Sequence, residues 1–346
     1  MQTTFPKIAE ERLANGLQPI RQFVLAQALF NFMNLGIAEA IGDSIDKTVS
    51  SLAEKLGLHE HRLSGFLRYL ANEGYVLLSS SGVVSLTATG HDILDFRPWY
   101  TLLIGGYAQT FLQLPTVMRI GGPYAARDSS AVGVGSCGIS QYDALPMTRQ
   151  LLGKIAGGWR TIVDLGCGDG SYLVDLCRSI PTAHGLGLDP DPTSVKSAQA
   201  SARGHGLADR VEIRVGSATD IPDLSQEPGP LCFITAFVLQ ELLEQSGRAA
   251  VVGLLRSTFA RYPNAHWIVV EVDHRPEDPS VMQTALGLAY YNPYYLIHEL
   301  TEQKLETVAF WEKLYAEAGL RVLAVEHPES TYDSLRLKIG FLLGPN

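Results

Sequence analysis

No apolar run in the sequence approaches the roughly 20 residues that a bilayer crossing needs. The longest, Leu231 to Leu239, is broken by Thr235 and reads as a buried strand, so no membrane partner is expected. Cysteine is scarce: Cys137, Cys167, Cys177 and Cys232, with no CxxC spacing. That argues against a disulfide framework or a thiolate metal site. Cys167 and Cys232 sit in apolar strand contexts, where small buried thiols are common, and a reducing cytoplasm suits such a chain. Basic residues are too few for a nucleic-acid partner: the formal net charge is −9, whereas phosphate contacts require a basic surface. The N-terminal stretch MQTTFPKIAEERLANG carries acids and no apolar core, so secretion is not indicated. There are no internal repeats and no low-complexity tract. What remains is ordinary globular composition, 46% hydrophobic and 18% charged over 346 residues, a length that fits two domains.

The organisation changes along the chain. Residues 8–42 have helical periodicity, with one apolar stripe through Leu13, Leu17, Ile20, Val24 and Ala28 and a neighbouring one through Leu25, Leu29, Phe32 and Met33. Residues 48–90 read as a short helix (TVSSLAEKLGL), a second helix (HEHRLSGFLRYLANEGY) and a hairpin around Ser80, Ser81 and Gly82. That is the order of a winged helix-turn-helix. Such a module binds DNA or serves dimerisation. Residues 1–95 hold seven Lys/Arg against ten Asp/Glu, a balance of −3 that disfavours DNA. Residues 96–150 read as a helical linker and lid with a Gly/Ser-rich break at Ser129–Ser140. From 151 to 346 strands and helices alternate. Strands are expected at TIVDLG, HGLGLDP, RVEIRVG, LCFITAFVL, HWIVVEVD, RVLAVEH and LRLKIGFLL, and helices at Ser171–Ser179, Pro192–His205, Gly247–Tyr262 and Glu302–Ala318. Seven strands in this pattern imply an α/β, Rossmann-like, mostly parallel sheet, with a ligand beyond the carboxyl ends of its strands.

The first of these strands ends in Asp164-Leu165-Gly166-Cys167-Gly168-Asp169-Gly170. Gly166 and Gly168 fit a nucleotide-binding GxGxxG turn, but its third position is Ser171. Asp164 and Asp169 would repel a pyrophosphate and attract an amino group, which favours S-adenosylmethionine (SAM) over a nicotinamide dinucleotide. Asp189 ends the second strand roughly 20 residues on, where an acid accepts the ribose hydroxyls. Ser217 and Ala218 are placed to flank the adenine. Asp220 can substitute for the acid often found at position 217. Thr235, Phe237 and Tyr142 are further candidate cofactor contacts.

These residues, with the helical module before them, resemble the class I SAM-dependent methyltransferases of the O-methyltransferase type. The resemblance implies a homodimer that exchanges helices through an N-terminal winged-helix dimerisation domain. It also implies a His-Asp pair after the fourth strand, the His deprotonating a phenol. Here the matching positions are Gln240 and Glu241. An amide cannot take a proton at neutral pH. The chain is similar instead to the bacterial α-keto acid C-methyltransferases, which act on phenylpyruvate, 4-methyl-2-oxovalerate or 2-ketoarginine. That resemblance implies a divalent or ferric metal ion held by Gln240 or Glu241 and by His298, chelating a 2-oxo acid substrate.

The chemistry is coherent. The β-carbon of a 2-oxo acid is a poor nucleophile until it becomes an enolate, and a Lewis acid on the keto oxygen stabilises that enolate. Glu241 is the candidate base. Arg127 is the candidate cation for the substrate carboxylate. His274 and His327 compete as ligands. Trp99, Tyr107 and Tyr142 are candidate pocket walls. The competing functions are O-methylation of a hydroxylated secondary metabolite with Glu241 as base, and a SAM-sensing winged-helix regulator without activity.

Overall fold

Local signals already mark the turns. Thr48 ends an extended segment, and its hydroxyl accepts the Ser51 N–H at the start of the helix Val49–Leu56, which Gly57 closes in the left-handed conformation (φ 64°). The computed structural model describes residues 4–43 and 47–346. The first three residues of the amphipathic N-terminal stretch lie outside the described residues.

The chain divides into two compact units, Met1–Gly105 and Gly106–Asn346. Residues 106–150, read from sequence as part of a separate lid segment, thus belong to the second unit. The first unit contains the helices Thr4–Gly16, Gln18–Asn34, Ile37–Asp43, Val49–Leu56 and Glu60–Asn72. A two-stranded antiparallel hairpin follows, β1 (Val76–Leu78) and β2 (Val84–Leu86), with Val76 opposite Leu86. Its core is Leu29, Phe32, Ile37, Ile41, Leu52, Leu67, Leu70, Val76 and Val84. Each such side chain contributes about 1.5–3 kcal/mol on burial. The two N-terminal stripes part company. Leu29, Phe32 and Met33 are buried, whereas Leu13, Leu17, Ile20, Phe23 and Val24 are 44–62% exposed.

The second unit is built on one seven-stranded sheet. Its strands are β3 (Thr161–Leu165), β4 (His184–Asp189), β5 (Val211–Val215), β6 (Leu231–Ala236), β7 (His266–Val272), β8 (Leu320–Glu326) and β9 (Lys338–Pro345), in the order β5-β4-β3-β6-β7-β9-β8. β3 to β7 pair in parallel, and β9 runs antiparallel to both neighbours. Parallel strands covered on both faces read as continuous apolar runs, and TIVDL is buried throughout. Alternate side chains feed two cores: Val163, Phe233, Trp267 and Val269 on one face, and Ile162, Cys232, Ile268 and Val270 on the other. The strand order reverses between β3 and β6, which opens a crevice at the carboxyl ends of those two strands.

Three expected elements differ. Ser129–Ser140 is not a break but a helix. Asp128 caps it by accepting the Ala131 N–H at 2.9 Å, and Gly135, Ile139 and Ser140 are buried, so packing overrides the poor intrinsic propensity of glycine and serine. The helix expected at Gly247–Tyr262 starts earlier, as Leu239–Arg261 with a kink at Gly247 (φ 79°, ψ 168°). The helix expected from Glu302 starts at Val308, where Thr307 supplies the cap. Among the described residues, no helix is long and apolar enough to cross a membrane.

Candidate active site

The turn after β3 is built for close approach. Gly166 (φ 82°), Gly168 (φ 55°) and Gly170 (φ 73°) all adopt left-handed backbone. A Cβ on Gly166 would lie 2.6 Å from Val238 Cγ2, and one on Gly170 2.6 Å from Ala198 Cβ. The Gly166 and Cys167 amides both donate to the Leu188 carbonyl, at 2.7 and 3.0 Å. Gly168 N–H donates to Asp189 Oδ2 at 2.9 Å, and Asp191 N–H to Asp189 Oδ1 at 2.9 Å. The turn and the end of β4 are thus one unit, with spare lone pairs on both Asp189 oxygens. Asp164, next to last in β3, is 3% exposed. Burial, with the charge of Asp189, pushes its carboxyl up to about 7. The loop after β5 joins them, since Gly216 N–H donates to the Asp189 carbonyl at 3.0 Å. There Ala218 is buried, and Ser217 Oγ pairs with Thr219 Oγ1 at 2.8 Å.

The other expected cofactor contacts divide. Phe237 adopts a left-handed conformation (φ 61°) at the end of β6, its amide donating to the Val270 carbonyl. Tyr142 stacks obliquely on Tyr332, ring centroids 5.2 Å apart. Thr235 is a correction. Alternation along β6 puts it on the Phe233 face, fully buried, where its hydroxyl accepts the Trp267 indole N–H at 3.0 Å. It belongs to the core beneath the site. One contact comes from the unexpected helix Ser129–Ser140: Cys137 Sγ lies 3.5 Å from where a Cβ on Gly168 would sit, so this helix covers the turn.

A second group gathers at the start of the helix Leu239–Arg261. Glu271, on β7, accepts the Leu239 and Gln240 amides on Oε1 at 3.1 and 3.4 Å. Burial pushes its carboxyl well above the usual range. Gln240 is 2% exposed. Its Nε2 lies 3.3 Å from His298 Nε2, and its Oε1 is buried without a partner. His298 Nδ1 is 2.7 Å from the Tyr294 carbonyl, which can only accept, so Nδ1 carries the hydrogen and Nε2 keeps a lone pair. Burial drives this imidazole down to about 3, so it is neutral.

Beside this pair, Glu241 Oε1 accepts from Arg127 Nη2 at 2.7 Å and from Gln303 Nε2 at 2.8 Å. Arg127 Nη1 is buried without a partner. Lys304 N–H donates to the Gln240 carbonyl and Ala125 N–H to the Leu300 carbonyl, tying the Arg127 and Gln303 loops to the two helices. The aromatic run before His298 anchors its helix. Tyr291 donates to Asp333 at 2.5 Å and Tyr295 to the Asp273 carbonyl at 2.7 Å. Tyr294 stacks on the His298 ring at 4.1 Å. The ammonium of Lys338, itself paired with buried Asp143, lies 5.1 Å over Tyr290.

Of the expected acceptor-side residues, the structure therefore brings together Arg127, Gln240, Glu241 and His298. His274 lies edge-on to Tyr295 and 4.0 Å from Glu299. His327 bonds the Arg336 carbonyl beyond the edge strand β8. Trp99 lies in the first unit, edge-on to Phe96. Sequence reading did not single out Glu271 or Gln303; Tyr107, expected as a pocket wall, is buried and donates its hydroxyl to Gln303 Oε1. Glu271 left a signal, an acid inside the apolar strand HWIVVEV; Gln303 left none. Among the described residues no three His, Cys, Asp or Glu side chains form a group that could hold a metal ion. The pair that fits one is mixed: the His298 Nε2 lone pair and the orphaned Gln240 Oε1, which half a turn of the amide would bring to the imidazole side.

A methyltransferase-domain family model matches residues 162–274, from β3 to just past β7. The chain is 46% identical to a 2-ketoarginine methyltransferase of Streptomyces arginensis over 96% of both chains. The chain belongs to the class I SAM-dependent methyltransferases. This methyltransferase is also 28% identical to an indolepyruvate C-methyltransferase of Streptomyces griseus, over 75% of its own length and 74% of the relative's. Its fold matches that of a mitomycin 7-O-methyltransferase with a TM-score of 0.66, 21% identity and 99% and 100% coverage of the two chains. The donor is SAM, and the crevice between β3 and β6 is where a ligand of such a sheet lies.

Proposed function

We propose that this enzyme transfers the SAM methyl group to the β-carbon of a 2-oxo acid of the 2-ketoarginine kind. The observation that carries the reading is the buried Gln240–His298 pair beside Arg127 and Glu241. Phenol methylation needs a base where Gln240 stands, and this enzyme offers a non-basic amide there and a carboxylate next to it. The two relatives named for keto acids support the same chemistry.

Each residue then has a task. Arg127 Nη1 meets the substrate carboxylate. Glu241 Oε2 makes no hydrogen bond among the described residues and removes the β-proton; the C–H electron pair becomes the enolate π bond, with charge on the keto oxygen. The enolate carbon attacks the SAM methyl, and the C–S pair returns to sulfur, leaving S-adenosylhomocysteine. The proton leaves Glu241 to water. Near-attack alignment of enolate and methyl supplies much of the rate. A divalent or ferric ion held by His298 Nε2 and Gln240 Oε1 would act as a Lewis acid toward the keto oxygen. On the donor side, Asp164 faces the amino group, Asp189 the ribose and Ser217 and Ala218 the adenine, with Phe237 and Tyr142 as walls. We further propose a cytoplasmic homodimer joined through the exposed stripe of the N-terminal helices.

The test is purified enzyme with SAM and a panel of 2-ketoarginine, indolepyruvate, phenylpyruvate and a phenol, with and without EDTA, with products assigned by NMR. Methyl on the β-carbon of an oxo acid is expected. Methylation of the phenol alone would sink the reading. Activity unaffected by EDTA would remove the metal and leave the carbon chemistry standing.

A further inference from the structure

Arg127 pairs with Glu241 at 2.7 Å, but an ion pair alone does not fix which carboxylate oxygen faces the substrate. Oε1 receives both hydrogen bonds, from Arg127 Nη2 and from Gln303 Nε2. Gln303 is 6% exposed and itself oriented. Its Oε1 accepts from the Tyr107 hydroxyl at 3.2 Å and faces Thr301 Oγ1 at 3.3 Å. Thr301 also donates to the Ile297 carbonyl at 2.8 Å, so Tyr107 is the main partner. Tyr107 is 1% exposed, and burial pushes its phenol up to about 12, which keeps its proton in place at neutral pH. The amide therefore has one arrangement: carbonyl toward two hydroxyls, NH2 toward the carboxylate. A second cation at position 303 would also grip Glu241 but would lower its basicity. An amide gives direction without charge.

We infer that Gln303, set by Tyr107, is a positioning residue that works through Glu241, occupying Oε1 so that Oε2 is the oxygen presented to the β-hydrogen. This rests on Glu241 being the base. The first consequence concerns proton removal, before any methyl moves. Freed from Gln303, the carboxylate swings about its Arg127 contact, and proton transfer loses alignment, a loss of roughly 10- to 100-fold.

The experiment follows β-hydrogen exchange from the oxo acid into D2O by NMR, with S-adenosylhomocysteine in place of SAM. It adds kcat, KM and the SAM Kd for Gln303→Leu, Tyr107→Phe, Glu241→Gln and the double variant Gln303→Leu/Glu241→Gln. The expected result is that Gln303→Leu lowers exchange and kcat together, with KM and SAM Kd within about twofold. Tyr107→Phe should shift the same quantities less, and Gln303→Leu should cost nothing further once Glu241 is Gln. Wild-type exchange in Gln303→Leu, or an equal loss on both backgrounds, would overturn the positioning role while leaving Glu241 as base. Wild-type exchange in Glu241→Gln would instead overturn the reading beneath it. Should Gln303→Leu fail to bind SAM, Tyr107→Phe decides: a kcat loss with normal SAM Kd supports the role, and wild-type rates refute it.

Discussion

A carboxyl buried without an ion pair is an unusual residue to place at a strand end. Asp164 is held up at about 7 against an ordinary 3.8. The folded protein therefore keeps a proton that the unfolded chain releases. Without ligand, stability falls as pH rises from about 4 toward 7. An ammonium beside Asp164 reverses the preference, because the ionised form then gains a partner. SAM affinity is accordingly expected to strengthen from pH 6 to pH 8, and Asp164→Asn to bind weakly with no such trend; calorimetric titration at three pH values checks both. The glycine turn and its link to Asp189 were legible from sequence because both partners lie within one turn and the next strand. Gln303 was not, for its partner Glu241 is 62 residues away; Glu271 shows as an acid in an apolar strand, but its partner Gln240, 31 residues away, does not. Tyr107 meets Gln303 across 196 residues. Only the closed fold makes such pairs neighbours. Thr235 misled for the opposite reason: it lies near the end of β6, but alternation turned its side chain into the core.

At the scale of elements, the helix Ser129–Ser140 is the informative one. Three of its residues are glycine, at 133, 135 and 138, each costing about 1 kcal/mol relative to alanine. It lies against the glycine turn through Cys137, so its stability depends on packing rather than propensity. That is why its composition reads as a break. Asp128 supplies its N-cap. Asp128→Ala is expected to remove about 1 kcal/mol of helix stability. The SAM Kd should rise up to roughly fivefold, with the midpoint of thermal unfolding little changed because the opening is local. Calorimetry and a melting curve measure the two. The other differences have similar causes. Gly247 bends one helix into two segments, and Thr307, not Glu302, supplies the side chain that starts the next.

At the scale of the whole molecule, the first unit leaves Leu13, Leu17, Ile20, Phe23 and Val24 in solvent, a stripe too long for an ordinary surface. If it joins two copies, Leu17→Glu combined with Ile20→Glu should convert a dimer to a monomer in light scattering after gel filtration. A monomeric wild type would refute that assembly. The sheet was readable because hydrophobic periodicity changes along the chain; the register that inserts β9 between β7 and β8 was not, since pairing partners leave no local trace. That insertion has a consequence for synthesis. The donor turn is complete once β4 has been made. The segment leading into the His298 helix is fastened late in the chain, since Tyr291 donates to Asp333 and Lys338, the first residue of β9, lies over Tyr290. A ribosome-bound fragment ending before Lys338 is therefore expected to form the glycine turn while the segment before His298 lacks its Lys338 contact, which protease protection of stalled chains would check.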